Sequence, residues 1–100
     1  MTEPEEYTQR LTKIVGFFKF PAGKEPMKAL KEGDNLTLKR EPANPVDPNA
    51  IAVWLTLPNG GEVQLGYIPA IVAANIRHAR LGSAFKHSSA WDAIVILYKA

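Results

Sequence analysis

Residues 50–57 form a segment that is apolar on both faces of a β-strand. Alternate side chains of a strand point to opposite sides of its sheet. One set here is Ile51, Val53, Leu55 and Leu57, and the other is Ala50, Ala52 and Trp54. A proline-rich loop, residues 42–49, precedes the segment, and a Pro-Asn-Gly-Gly hairpin turn, residues 58–61, follows it. The segment is therefore predicted to be a central strand, covered on both sides.

The rest of the chain predicts further strands and little helix. The other predicted strands are residues 11–20, 35–41, 63–67, 83–87 and 90–98. A main helix is predicted at about 70–81, ended by Gly82, and a short helical turn at about 25–31. This content predicts a mainly β fold, a small six-stranded barrel or curled sheet with the main helix at one open end.

Length and composition limit the class of protein. One hundred residues suit a single compact domain, predicted at 10–100 after a disordered acidic tail at 1–9. Without cysteine, a disulfide framework and a cysteine nucleophile are excluded. No apolar run approaches the roughly 20 residues that span a bilayer, and the acidic N-terminus is not a signal peptide. An intracellular, cytoplasmic protein is expected.

Neither catalysis nor a cofactor is predicted. The two histidines, His78 and His87, lie nine residues apart without a carboxylate at metal-ligand spacing. No phosphate-binding glycine loop or nucleophile elbow is present. We therefore expect no enzyme activity, no metal and no cofactor.

The charge of the chain is unevenly distributed. The net charge is +2, but three of the ten acidic residues lie in the first six positions. From Tyr7 onward, 12 basic residues oppose seven acidic ones, a balance of +5. Such a body can bind a polyanion. The alternative interpretation is a solvated lysine-rich surface.

Aromatic and basic residues adjoin in the segment Phe17-Phe18-Lys19-Phe20. On a strand these side chains alternate between two faces, and three phenylalanines do not all fit easily into a small core. Exposed rings beside cations are typical of single-strand binding, in which bases stack on the rings and ammonium groups contact phosphates. Lys39 and Arg40 add charge beside the proline-rich loop. The alternative interpretation places the rings in the core and Lys39 and Arg40 at a solvated strand end.

Two longer motifs resemble the HIRAN domain family. They are Arg40-Glu-Pro-Ala-Asn-Pro-Val-Asp-Pro-Asn-Ala-Ile-Ala-Val53 and Leu65-Gly-Tyr-Ile-Pro69. The resemblance extends over roughly residues 13–98 and includes Val15-Gly16 before the aromatic segment. It implies a six-stranded OB-like or SH3-like barrel with two helices. It also implies DNA binding, because members attached to fork-remodelling helicases bind the 3′ end of single-stranded DNA.

At individual positions, this sequence matches the family pattern in some places and differs from it in others. Asp47 matches the loop aspartate that contacts the terminal 3′-hydroxyl in those members. Val46 stands where they have a loop tyrosine, and Ala70 where they have a lysine. Phe18-Lys19-Phe20 replaces Arg-Tyr-Tyr, and Tyr67 follows the glycine of the second motif. These changes predict weaker 3′-end recognition. Asp47 can also act simply as a loop residue, with Asn44 and Asn49, by bonding the backbone.

The sequence as a whole predicts a stand-alone, non-catalytic and monomeric DNA-binding module of bacterial or phage origin. Its expected partner is single-stranded DNA or DNA ends, in DNA repair or replication-fork processing. The predicted DNA-binding residues are Phe18, Lys19, Phe20, Lys39, Arg40, Asp47 and Tyr67. The alternative is a protein–protein interaction module that recruits a helicase or nuclease.

Overall fold

A computed structural model describes residues 6–87 and 91–98 and contains six strands and two short helices. The strands are β1 (Tyr7–Lys13), β2 (Asn35–Arg40), β3 (Ile51–Thr56), β4 (Glu62–Tyr67), β5 (Arg80–Lys86) and β6 (Asp92–Tyr98). The helices are α1 (Lys24–Ala29) and α2 (Ala70–Asn75), and two 3₁₀ turns cover Phe17–Lys19 and Pro21–Gly23. The predicted mainly β fold is confirmed. Within the described ranges, neither helix is long and apolar enough to cross a membrane.

The six strands form one antiparallel sheet in the order β1-β6-β5-β2-β3-β4. Residues 50–57 contribute the internal strand β3, in which Ile51, Ala52 and Val53 are fully buried, as predicted. The hairpin turn after it is also confirmed, because the backbone N–H of Leu57 donates to the carbonyl of Gly61 at 2.7 Å. The sheet is curled, and its hydrophobic core is built from residues of β2 to β6 together with Met27 of α1 and Ala73 of α2.

The sheet does not close into a barrel, which corrects the predicted architecture in one detail. Across the described ranges, β1 and β4 are its two edges and do not pair as strands. The edges approach where Val15, just after β1, forms an antiparallel bridge with Tyr67, with both N–H to O=C distances 2.8 Å. Gly66 permits this approach, because a Cβ there would lie 2.5 Å from the carbonyl oxygen of Val15.

The first predicted strand is placed wrongly. β1 begins at Tyr7, inside the predicted tail, and pairs with β6 from Tyr7 opposite Tyr98. It ends at Lys13 instead of continuing to residue 20. Val15 then bridges to Tyr67 instead of β6, and Gly16, with φ +72° in the left-handed region, leads the chain into a 3₁₀ turn. Residues 1–5 of the predicted tail lie outside the described residues.

The main helix is shorter than predicted. α2 ends at Asn75, six residues before the predicted end, and Gly82 lies within β5 instead of capping a helix. The guanidinium of Arg40 donates hydrogen bonds to the carbonyls of Ile76 and Ala79, which hold the chain in a tight turn before β5. Tertiary contacts therefore override the helical periodicity of this segment.

Candidate functional site

An open cleft lies beside the Val15–Tyr67 bridge, where the two edges of the sheet meet. It has a volume of about 400 Å³, within the usual range for small-ligand sites of ~300–1,000 Å³. Its walls come from the segment after β1, the proline-rich loop and the start of α2. We call it the loop cleft, and its lining residues are Val15, Gly16, Lys19, Phe20, Asn44, Val46, Asp47, Ala50, Tyr67, Ile68 and Ala70.

The proline-rich loop is fixed by its own side chains. Val46 and Asp47 donate their backbone N–H groups to Oδ1 of Asn44 at 2.9 and 3.1 Å. Asn49 donates its backbone N–H to Oδ1 of Asp47 at 2.9 Å. The loop roles predicted for Asn44 and Asp47 are therefore confirmed, whereas Asn49 acts here through its backbone. Asp47 is half-buried in the cleft wall, so a structural role and a ligand-binding role are compatible.

Glu41 anchors this loop to β4, a role that the sequence analysis missed. Its Oε1 accepts hydrogen bonds from the hydroxyl of Tyr67 at 2.9 Å and from the side-chain amide of Asn44 at 3.0 Å. One carboxylate oxygen thus ties two walls of the loop cleft together. Glu41 lies inside the motif of residues 40–53, between Arg40 and a proline. Its partner on β4 is 26 residues away, so no local sequence pattern marks the contact.

The side chains of residues 17–20 point in different directions, because Phe17–Lys19 forms a 3₁₀ turn with three residues per turn. Phe17 stacks on Trp91 with ring centroids 4.2 Å apart and planes 14° apart. Phe18 is 75% exposed. Lys19 and Phe20 line the loop cleft, and the Phe20 ring lies 5.8 Å from that of Tyr67. The alternation expected for a strand is therefore wrong, yet one aromatic ring remains open to solvent.

Four of the seven predicted site residues meet at the loop cleft. They are Lys19, Phe20, Asp47 and Tyr67. Phe18 is in the adjoining turn, outside the lining. The arrangement places an ammonium group, two aromatic rings and a carboxylate around one concave surface, a set that can stack a base, neutralise a phosphate and accept a hydrogen bond.

Lys39 and Arg40 lie elsewhere and have partners within the protein. The Nζ atom of Lys39 is 2.9 Å from Oε1 of Glu62 and 4.5 Å from the centroid of the Trp54 ring. Arg40 donates to the two carbonyls after α2. Neither side chain lines the loop cleft.

Two lining positions of the cleft are apolar where the resemblance implies other residues. Val46 is 92% exposed at the rim, and Ala70 lies at the start of α2. A tyrosine ring and a lysine ammonium are therefore absent from these two places. In the part of the chain that is described, no three His, Asp or Glu side chains cluster as metal ligands do.

Comparisons with known proteins find one matching family model and two similar solved structures. The family model described as the HIRAN domain matches residues 8–87. The crystal structure of the HIRAN domain of human HLTF is similar, with a TM-score of 0.66 and 19% identity, covering 91% of this chain and 75% of that chain. A Lactobacillus plantarum protein has a TM-score of 0.70 at 19% identity, covering 97% of this chain and all of the other.

The two structures establish the shared fold, and the family model establishes the membership. No curated protein is significantly similar in sequence. The match to the family model spans most of the chain and includes the proline-rich loop and the Val15–Tyr67 bridge. The chain therefore belongs to the HIRAN domain family.

Proposed function

We propose that this chain is a non-catalytic DNA-binding module that takes single-stranded DNA, or the single-stranded end of a DNA molecule, into the loop cleft. HIRAN is a family of DNA-binding domains. The observation that carries the proposal is the convergence of Lys19, Phe20, Asp47 and Tyr67 on one cleft from three separate segments. The excess of basic residues after the acidic first six residues favours a polyanionic partner.

The rings and the ammonium group supply affinity in this proposal. A base stacks on Phe20 inside the cleft, and Phe18, which is largely exposed, offers a second ring outside it. Stacking of this kind contributes about 1–3 kcal/mol per base and tolerates any sequence. The Nζ of Lys19 lies 5.9 Å from the centroid of the Phe18 ring, and in this proposal it neutralises a phosphate beside that ring.

Asp47 supplies discrimination between ends. One of its oxygens already holds the loop through Asn49, which keeps the carboxylate in the cleft wall. The carboxylate can accept a hydrogen bond from a free 3′-hydroxyl, and its charge repels a phosphate at the same place. With Val46 and Ala70 in place of a ring and a cation, end recognition relies more on Asp47. The proposal includes that the protein acts as a monomer in the cytoplasm, in DNA repair or replication-fork processing.

A titration with a 5′-labelled single-stranded octamer, followed by fluorescence anisotropy at two salt concentrations, tests the proposal. We expect affinity to fall with salt and to fall by roughly tenfold in Phe18→Ala and in Lys19→Gln. Leu11→Ala, which truncates an exposed apolar side chain on β1, and Arg77→Gln, which removes one exposed charge, are the matched controls. No binding at tens of micromolar protein, or equal losses in the controls, would refute it.

A protein-interaction module is the second candidate. It is favoured by the apolar exposure of Val46 at the rim of the loop cleft and of Phe18 in the adjoining turn. Exposed apolar side chains near one another are typical of protein interfaces. Under this alternative a helicase or nuclease docks on the cleft. Co-purification of such a partner by the wild type but not by Phe18→Ala, together with no oligonucleotide binding, would favour it over DNA.

A further inference from the structure

A second cleft lies on the other side of the Phe17–Lys19 turn, against α1. Its volume is about 370 Å³. Its apolar lining includes Phe17, Met27 and Trp91, and the exposed lysines Lys24 and Lys28 stand at its side. We call it the α1 cleft. None of its lining residues belongs to the loop cleft.

The aromatic pair of the α1 cleft is both firmly placed and accessible. Phe17 and Trp91 are stacked nearly parallel, with centroids 4.2 Å apart. Met27 is almost fully buried beneath the cleft, whereas Phe17 keeps 40% of its surface exposed. An aromatic surface that is fixed in place but not covered can stack a base without a large ordering cost.

The lysines of α1 are available to a ligand. Within the described residues, Lys24 has no ion-pair partner. Lys28 lies 3.5 Å from Glu25, but these side chains are 61% and 83% exposed, so the pair is weak and easily displaced. Lys86 also lines the cleft, but it is buried and donates to the carbonyl of His87, so it is part of the wall.

The two clefts are joined by consecutive residues of one turn. Phe17 lines the α1 cleft, Phe18 is exposed and lines neither cleft, and Lys19 lines the loop cleft. A 3₁₀ turn rises only about 2 Å per residue, so the clefts lie side by side. A single strand of DNA can bind in both clefts. Its flat bases can stack on the aromatic rings, and its phosphates can contact the ammonium groups beside those rings.

We propose that the α1 cleft is a second DNA subsite that continues the path of the strand. The inference rests on the proposed function and extends it. The 3′-terminal nucleotide occupies the loop cleft, the strand crosses Phe18, and the bases on the 5′ side of that nucleotide stack at Phe17 and Trp91. Their phosphates are neutralised by Lys24 and Lys28. Affinity should therefore rise with oligonucleotide length until both clefts are filled.

The test compares a thymidine dinucleotide with a thymidine octamer, each with a free 3′-hydroxyl. We expect the double variant Lys24→Gln/Lys28→Gln to bind the dinucleotide as the wild type does but to lose about tenfold or more for the octamer. For the octamer, the slope of log K against log salt concentration should be less steep by about 1.4 in this variant. The reason is that two phosphate contacts with a single strand are lost, each contributing ~0.7 to the slope. The charge-matched control is Arg10→Gln/Arg77→Gln, which changes neither cleft.

A second measurement locates the octamer directly. In ¹⁵N-labelled protein, the octamer should shift the backbone amide signals of Lys24, Glu25, Met27 and Lys28 and the indole N–H signal of Trp91, and the dinucleotide should leave them in place. The subsite is overturned if Lys24→Gln/Lys28→Gln binds the octamer as tightly as the control variant does, or if the α1 signals do not shift. In either case, binding of the dinucleotide would leave the loop cleft proposal intact. If no oligonucleotide binds, both proposals fail. If an acidic peptide such as hexaglutamate shifts the α1 signals and the octamer does not, the α1 cleft is a protein site.

Discussion

The link between Glu41 and Tyr67 provides a quantitative test of how the loop cleft is held together. In Glu41→Ala, Tyr67 and the side-chain amide of Asn44 both lose their acceptor. Hydrogen bonds to a charged group contribute about 1.5–3 kcal/mol each, and the half-buried setting favours roughly 1 kcal/mol each here. Glu41→Ala should therefore lower the free energy of unfolding by about 2 kcal/mol, or Tm by roughly 8–16 °C.

A double-mutant cycle separates this link from general damage. Tyr67→Phe removes one of the two bonds and keeps the ring that faces Phe20. Its cost should be about 1 kcal/mol, and it should be much smaller in the Glu41→Ala background, giving a coupling energy of about 1 kcal/mol. Urea unfolding followed by tryptophan fluorescence measures all four proteins. Glu25→Ala, at a largely exposed carboxylate, is the control and should cost less than ~0.5 kcal/mol.

An unfolding free energy that falls no more in Glu41→Ala than in Glu25→Ala, or a coupling energy of zero between Glu41 and Tyr67, would contradict this link. Glu41→Gln gives a graded check, since its amide oxygen can still accept the two bonds without the charge. It should recover about half of the lost stability. Loss of the link frees the proline-rich loop on one side, so Glu41→Ala should also bind the octamer more weakly under conditions in which it remains folded.

Two further predictions concern the closing bridge and the turn before β5. Gly66→Ala sets a Cβ 2.5 Å from the carbonyl of Val15 and should cost about 2–4 kcal/mol in urea unfolding, whereas Gly61→Ala, near a flexible side chain, should change stability by less than ~1 kcal/mol. Equal effects would contradict the close approach. Arg40→Lys cannot bond two carbonyls with the same planar geometry and should lower stability by about 1–2 kcal/mol in thermal unfolding while the folded protein keeps its octamer affinity within about twofold. A large loss of affinity without a loss of stability would instead support a DNA contact.

Elements with a strong local pattern were predicted correctly. β3 follows from an apolar run between two turn sequences, and the hairpin after it follows from Asn-Gly. The loop roles of Asn44 and Asp47 follow from short-range bonding between a side chain and its own backbone. In each of these cases the deciding interactions join residues that are close in sequence.

The errors arise where one residue or one distant contact decides. Residues 17–20 have high β-propensity, but the left-handed Gly16 and the following Pro21 confine them to a turn. A strand at this position predicts rings on two faces of a sheet, whereas in the structure Phe17 and Phe20 line two different clefts. Arg40 acts on carbonyls 36 and 39 residues away, and no sequence pattern marks such a contact.

The most direct test of the proposed end site compares two octamers that differ only at the 3′ end, one with a hydroxyl and one with a phosphate. Fluorescence anisotropy should give about tenfold weaker binding of the 3′-phosphate form, because that phosphate meets the Asp47 carboxylate. Asp47→Asn keeps an oxygen for the Asn49 backbone but removes the charge, so it should bind the two octamers with nearly equal affinity. Equal affinity of the wild type for both octamers, or unchanged discrimination in Asp47→Asn, would contradict the placement of the strand end in the loop cleft.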